Sequence, residues 1–195
     1  MKKITDTTYD ELFRTTVAKH FPELLTVFGQ HGWLWIKAQA WQESGFNPGA
    51  ESPVGARGLM QLMPGTDMEI DGDLDAFDPV GNVNNGVRYL AEQYRKLSEI
   101  PHATDRLKMA LAAYNGGRGY INEALSEGRA LSLMPVSYSS WRRVGSPAGL
   151  WQTWPCVSLL LRGVFVDGRQ PDWRQMTGYV EKIEGYLSKL LLEVL

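Results

Sequence analysis

From Tyr9 to Phe28 apolar residues recur every three or four positions, at Leu12, Phe13, Val17, Phe21, Leu24, Leu25 and Phe28, a spacing that predicts helix split in two by Pro22. Gly29 and Gly32 then bracket a turn. The run Trp33 to Glu43 predicts a largely buried helix that stops at Ser44-Gly45, with Pro48 barring its continuation and Glu43 at its C-terminal end. Residues 44 to 83 are rich in Gly, Pro, Asn and Asp and read as loop, interrupted by one short helix near Leu59 to Leu62. Val87, Leu90, Ala91, Tyr94 and Leu97 predict a helix from Asn84 to Leu97. Another runs from about Asp105 to Tyr114, ended by Gly116-Gly117, and a short third passes through Ile121 to Leu125. Residues 128 to 177 hold Pro135, Pro147, Pro155 and Pro171 and predict loops and short helices. Tyr179, Val180, Ile183, Tyr186, Leu187, Leu190, Leu191 and Val194 mark an amphipathic C-terminal helix that docks on the core.

The expected fold class is therefore mainly α. No repeat or linker marks a second domain. Residues 1–195 are expected to form one domain: a helical N-terminal part (1–32), a core (33–127), an insertion (128–177) and a C-terminal helix (178–195). A chain of 195 residues buries roughly 70% of the surface it exposes when unfolded, enough to need neither metal nor disulfide. The single cysteine, Cys156, agrees, since it has no partner for an internal bridge.

With 20 Lys and Arg against 22 Asp and Glu, the net charge of −2 gives no general attraction to nucleic acid or anionic lipid. Met1-Lys2-Lys3 is followed by polar and acidic residues without an apolar stretch, so no signal peptide is expected. No run of 18 apolar residues occurs, and no stable membrane insertion is expected. His20, His31 and His102 form no metal-binding motif, and neither metal nor cofactor is expected.

Glu43 is the first candidate for chemistry. A carboxylate at a helix C-terminus meets the negative end of the macrodipole, and Trp41 and Phe46 beside it penalise the charged form, so both effects raise its pKa. A glutamic acid kept protonated near neutrality is suited to protonate a leaving glycosidic oxygen.

The stretch Glu43-Ser44-Gly45 through Ser52-Pro53, the block Gly58-Leu59-Met60-Gln61-Leu62-Met63-Pro64, and Ala113-Tyr114-Asn115-Gly116-Gly117 together resemble the catalytic region of the soluble lytic transglycosylase family. Asp78-Pro79, Asn82, Gly86 and Tyr89-Leu90 continue the resemblance over about residues 33 to 118, and Tyr179-Val180 is a fourth element. The resemblance implies a lysozyme-like helical fold with a substrate cleft and an added loop or helix insertion after the Tyr-Asn motif. It implies cleavage of the β-1,4 bond between N-acetylmuramic acid and N-acetylglucosamine in peptidoglycan. Glu43 would first give its proton to the glycosidic oxygen and then take one from the muramyl 6-hydroxyl, leaving a 1,6-anhydromuramyl end. Most glycosidases use two carboxylates instead.

The resemblance also places Ser52 beside Glu43, Gln61 and Met60 against sugar, Tyr114 and Asn115 along the cleft, and Tyr179 among the substrate contacts. Each has a structural reading too: Ser52 as a turn former before Pro53, Tyr114 as a core aromatic, and Met60, Leu62 and Met63 as core. Three departures from the family pattern stand out. Gly116 replaces an Ala, Asp67 replaces the Ala after Thr66, and Gln175-Met176-Thr177-Gly178 stands where Glu-Thr-Arg often precedes Tyr-Val. The insertion carries Trp141, Trp151, Trp154 and Trp173, which either stack on sugars or pack the core.

Asp67, Glu69, Asp71, Asp73, Asp75 and Asp78 lack the glycine and glutamate of a calcium loop and read as a solvated loop. They are also where a second carboxylate would come from if the protein were a hydrolysing, goose-type lysozyme-like muramidase. A non-catalytic glycan-binding module is the third alternative. Peptidoglycan strands are the expected partner and a monomer the expected state. The expected setting is a phage endolysin, made in the host cytoplasm and released through a holin.

Overall fold

The computed structural model describes residues 3–71, 75–132 and 152–194. Asp73, Trp141, Arg142, Arg143 and Trp151 lie outside the described residues. Packing divides the chain into two compact units, one of Met1–Glu92 with Glu181–Leu195 and one of Gln93–Val180.

In the first unit, α1 (Asp10–His20) and α2 (Glu23–Phe28) are the two halves expected on either side of Pro22. A 3-10 turn, Gly29–His31, leads into α3 (Leu34–Ser44). Every residue of α3 from Leu34 to Ala40 is buried, so this helix has no solvent face until its last turn. Tyr9 and Phe13 in and before α1 meet Phe46 just past α3, with ring centroids 6.4 and 6.1 Å apart, and Trp41 lies 5.2 Å from the same ring. Aromatic pairs at such spacing add to area burial. Lys37, 3% exposed, pairs with Asp10 at 2.6 Å, the partner that a buried ammonium requires.

Residues 59–62, expected as a short helix, are not helical. Gly58 and Gln61 have φ of +77° and +47°, which no right-handed helix accommodates, and Arg57 and Leu62 close a tight turn through reciprocal backbone hydrogen bonds of 2.9 and 3.0 Å. The helix comes just after it, as α4 (Pro64–Asp71), with Pro64 at the first position where its missing N–H costs nothing. The next helix, α5 (Pro79–Arg95), begins five residues before the expected Asn84. Asp78 caps it, its Oδ2 accepting the Gly81 N–H at 2.7 Å.

In the second unit, α6 (Ala103–Gly116), α7 (Arg118–Ser132) and α8 (Trp154–Leu160) pack on one another. The third helix, expected to be short, is 15 residues long. Asp105 of α6 accepts the backbone N–H of Trp154 at 3.1 Å and so anchors the start of α8. α9 (Trp173–Val194) starts five residues before the expected 178, with the Asp172 carboxylate accepting the Gln175 N–H at 3.0 Å as its cap. Within the segment 128–177, residues 128–132 complete α7 and 173–177 open α9. The boundary between the units falls within α5 and within α9.

Candidate functional site

Glu43 sits in the last turn of α3, half-buried, where the helix leaves its fully enclosed stretch. Two successive left-handed residues end the helix. Gly45 at φ +59° donates its N–H to Trp41 O at 2.9 Å, and Phe46 follows at φ +61°. Left-handed backbone is unusual for a bulky side chain, and burial of the Phe46 ring among Tyr9, Phe13 and Trp41 offsets the strain.

The loop that follows is bound together by side chains donating to or accepting from backbone. Ser44 Oγ donates to Leu59 O at 2.9 Å, tying the end of α3 to the far side of the loop. Gly58 N–H donates to Ala50 O at 2.9 Å. The Gln61 amide donates to both Ala50 O and Gly58 O, at 3.1 and 3.0 Å. Asn82, 1% exposed, reaches in from α5: its Oδ1 accepts the Met60 N–H at 2.7 Å and its Nδ2 donates to Arg57 O at 3.1 Å. Gly58 is required here by space as well as by φ, because an added Cβ would stand 2.5 Å from the Asn82 amide and overlap Ala76 O.

Ser52 closes a small turn of its own, its Oγ accepting the Ala56 N–H at 2.9 Å while its backbone N–H donates to Ala56 O. The turn-forming reading of Ser52 is therefore realised, and its hydroxyl proton stays available for a further acceptor. Gln61 spends its donors on the loop and offers a ligand only its carbonyl oxygen. Met60 is fully buried, so its thioether is core and not a surface for sugar; Leu62 is core as well, whereas Met63, expected there, is 45% exposed.

Three of the acidic residues after this loop hold structure, whereas Glu69 is exposed. Asp67 is buried, not solvated, and accepts from Asn85 Nδ2 at 2.8 Å. Asp75 Oδ1 accepts the Phe77 N–H at 3.0 Å, and Asp78 is the cap of α5. Among the described residues no group of three or more His, Cys, Asp and Glu is placed to hold a metal.

The second unit carries Tyr114 and Asn115 in the last turn of α6. Gly117, at φ +100°, ends that helix by donating its N–H to Ala113 O at 2.9 Å. Asn115 Oδ1 is buried and accepts no hydrogen bond from the described residues, which leaves a strong acceptor unspent beside the helix end. Tyr179, in α9, is 4% exposed. Gly117, Gly119, Tyr120, Val166, Asp167 and Arg169 line an open cavity of about 390 Å³ next to that corner. Trp154 is core, and the Trp173 ring has the guanidinium groups of Arg162 and Arg174 at 4.5 Å each, so both are engaged by protein.

Sequence reasoning missed Ser44 and Asn82, because each acts on a backbone group far along the chain. Only their place inside the family-like segments marked them.

Among known proteins, the membrane-bound lytic murein transglycosylase F of Klebsiella pneumoniae is 31% identical over 183 residues, covering 92% of this chain and 34% of that protein. The protein of the same name from Pseudoalteromonas translucida is 34% identical over 116 residues, 60% of this chain and 24% of that one. The chain thus spans about a quarter to a third of the length of these relatives. The 70 kDa soluble lytic transglycosylase of Escherichia coli superposes with a TM-score of 0.57 at 23% identity, over 94% of this chain and 24% of that one, which makes the helical fold the expected lysozyme-like one. No helix among the described residues is long and apolar enough to cross a membrane. Residues 30–134, more than half of the chain and inclusive of Glu43, the loop locked behind it and the Tyr114-Asn115 corner, match the transglycosylase SLT domain, and the chain belongs to that family.

Proposed function

We propose that the chain is a peptidoglycan lytic transglycosylase with Glu43 as its one catalytic carboxylate. The observation that carries this is the placement of Glu43 at the end of an otherwise enclosed helix, while Asp67, Asp75 and Asp78 are committed to Asn85, a turn and a cap. Glu43 gives its proton to the glycosidic oxygen as the bond from muramic C1 to that oxygen breaks. The resulting carboxylate takes the proton of the muramyl 6-hydroxyl as O6 bonds to C1. No water is consumed, and Glu43 ends protonated as it began.

Ser52, Tyr114 and Asn115 are proposed as substrate contacts. Ser52 retains a proton to donate, and Tyr114 and Asn115 are proposed on the family resemblance. Tyr179 is proposed as a further contact on the family resemblance alone. Gln61 is proposed to shape the loop, with its carbonyl oxygen as the atom left for sugar.

Mass spectrometry of soluble products from purified peptidoglycan, with Glu43→Gln as control, tests this. Products one water lighter than muramidase products and lacking a reducing end are expected from the wild type and not from the variant. Reducing muramic acid ends would make the protein a hydrolase, and no release in either case would make it a binding module. For setting, we propose wall degradation in phage-induced lysis by a monomer passing through a holin. Lysis on induction in a bacterial host only when a holin is co-expressed is the expected result. Relatives named as membrane-bound murein transglycosylases support turnover of a bacterium's own wall as the competing setting.

A further inference from the structure

Two of the departures from the family pattern, Gly116 and Met176, meet in space. Gly116 is the last residue of α6, directly after Tyr114-Asn115, and Met176 lies in the first turn of α9, 1% exposed. A Cβ added at Gly116 would overlap Met176 Cγ and Sδ and stand 2.8 Å from Cε. Gly116 is not among the residues with positive φ, so its backbone would accept any L residue, and the requirement for glycine is one of volume. The obstructing atoms include Cγ, near the root of the side chain, so swinging the methyl aside does not clear them, and a residue this enclosed has little room to change rotamer.

Met176 is itself held in place. The Asp172 cap fixes the first turn of α9, with the Met176 N–H donating to Asp172 O at 3.0 Å and the Gln175 N–H to the Asp172 carboxylate. A capped helix start therefore presses a large thioether side chain onto the one α6 residue without a side chain. Asn115, beside it, has its Oδ1 buried and unpartnered among the described residues, so no hydrogen bond from them fixes that group.

We propose that Met176 is a positioning residue for the Tyr114-Asn115 corner, with the Gly116–Met176 contact acting as a single volume-matched pair. The role in turnover rests on the transglycosylase reading above; the packing does not. Release of anhydromuramyl product by Gly116→Ala, Met176→Ala, the double variant and Met176→Leu tests it, with kcat, KM and melting temperature measured together. Gly116→Ala is expected to lower kcat on the order of tenfold to a hundredfold, as a displaced binding group does. The double variant is expected to recover most of that loss, and Met176→Leu to stay within about twofold of wild type, the scatter of uncoupled sites. A folded Gly116→Ala or Met176→Ala with kcat and KM within about twofold of wild type overturns the proposal, as does a double variant no better than Gly116→Ala. If Gly116→Ala does not fold, Met176→Ala decides by the NMR signal of the Asn115 side-chain amide: a shifted signal supports the role and an unmoved one overturns it. The same signal decides if the wild type releases no product, an outcome that sinks the assigned activity and not the contact.

Discussion

Helices α3 and α6 end in the same way and are then held by different means. Each stops at a glycine of positive φ whose N–H returns four residues back, Gly45 to Trp41 and Gly117 to Ala113. Past α3, the loop to Leu62 is held by polar side chains that answer individual backbone groups, those of Ser44, Gln61 and Asn82. At the end of α6 the fit is one of volume, glycine against methionine. A loop held by hydrogen bonds loses stability when a partner is removed, because the buried group left behind remains dehydrated. A corner held by shape shifts instead, and a compensating change of size restores it.

The largest expected effect separates chemistry from both kinds of scaffold. Glu43→Gln keeps the shape of the side chain and removes the transferable proton, so turnover on peptidoglycan should fall by about 10²–10⁴-fold. Its melting temperature should match that of the wild type in the same buffer. A variant with half the wild-type rate would remove Glu43 from the mechanism.

Next comes the hydrogen-bonded loop. Asn82→Ala leaves the Met60 N–H without its partner in a buried site, while the Arg57 carbonyl keeps the Leu62 N–H, so the loss is about 1–3 kcal/mol for the one stranded group. Urea unfolding should show this as a lower midpoint with an unchanged slope. Asn82→Asp retains the acceptor for Met60 and loses the donor to Arg57, so it should fall between the two. An Asn82→Ala protein as stable as the wild type would mean that the loop is not held from α5.

What the chain revealed in advance follows the same division. Helices α1, α2 and α6 were readable because burial imposes a period of three to four on the residues themselves, and α3, buried on every side from Leu34 to Ala40, because its run ends at Ser44-Gly45. The turn at residues 57–62 was not, because Leu59, Met60 and Leu62 are apolar with helix-like spacing and are buried by a bridge between Arg57 and Leu62. Its signal lay in Gly58 alone, and nothing local announces that Gln61 adopts a left-handed conformation. Glu43 stands out in the sequence through its family-like company, and its place in the last turn of α3 agrees with the predicted helix end. Asp67 was misread as solvated because its partner, Asn85, lies 18 residues on, in another helix.

Gln61 offers a smaller test of the polar loop. Its side chain donates two hydrogen bonds while its backbone sits at φ +47°, so replacement by alanine loses the bonds and keeps the strain, whereas glycine loses the bonds and relieves it. Gln61→Gly should therefore be more stable than Gln61→Ala by about 0.5–1 kcal/mol, the reverse of their order in an ordinary loop. Equal stabilities would mean that the left-handed backbone carries no strain.

The smallest effect belongs to the apolar packing of the second unit and appears only in alkali. Burial in α8 pushes the Cys156 thiol above its ordinary value of 9.0. Below that value the thiol is protonated in both the folded and the unfolded chain, and it contributes no pH dependence. Above it, the unfolded chain releases a proton that the folded chain retains, so the folded state binds more protons and stability falls as pH rises. Cys156→Ala removes this slope while adding a pH-independent cost for the lost sulfur. The urea midpoints of wild type and variant should thus keep a constant separation up to about pH 8.5 and converge above it, the range in which an unperturbed thiol ionises. Parallel curves through that range would show that the thiol is hydrated in the folded protein, and that this part of the core is held less tightly than the Gly116–Met176 contact.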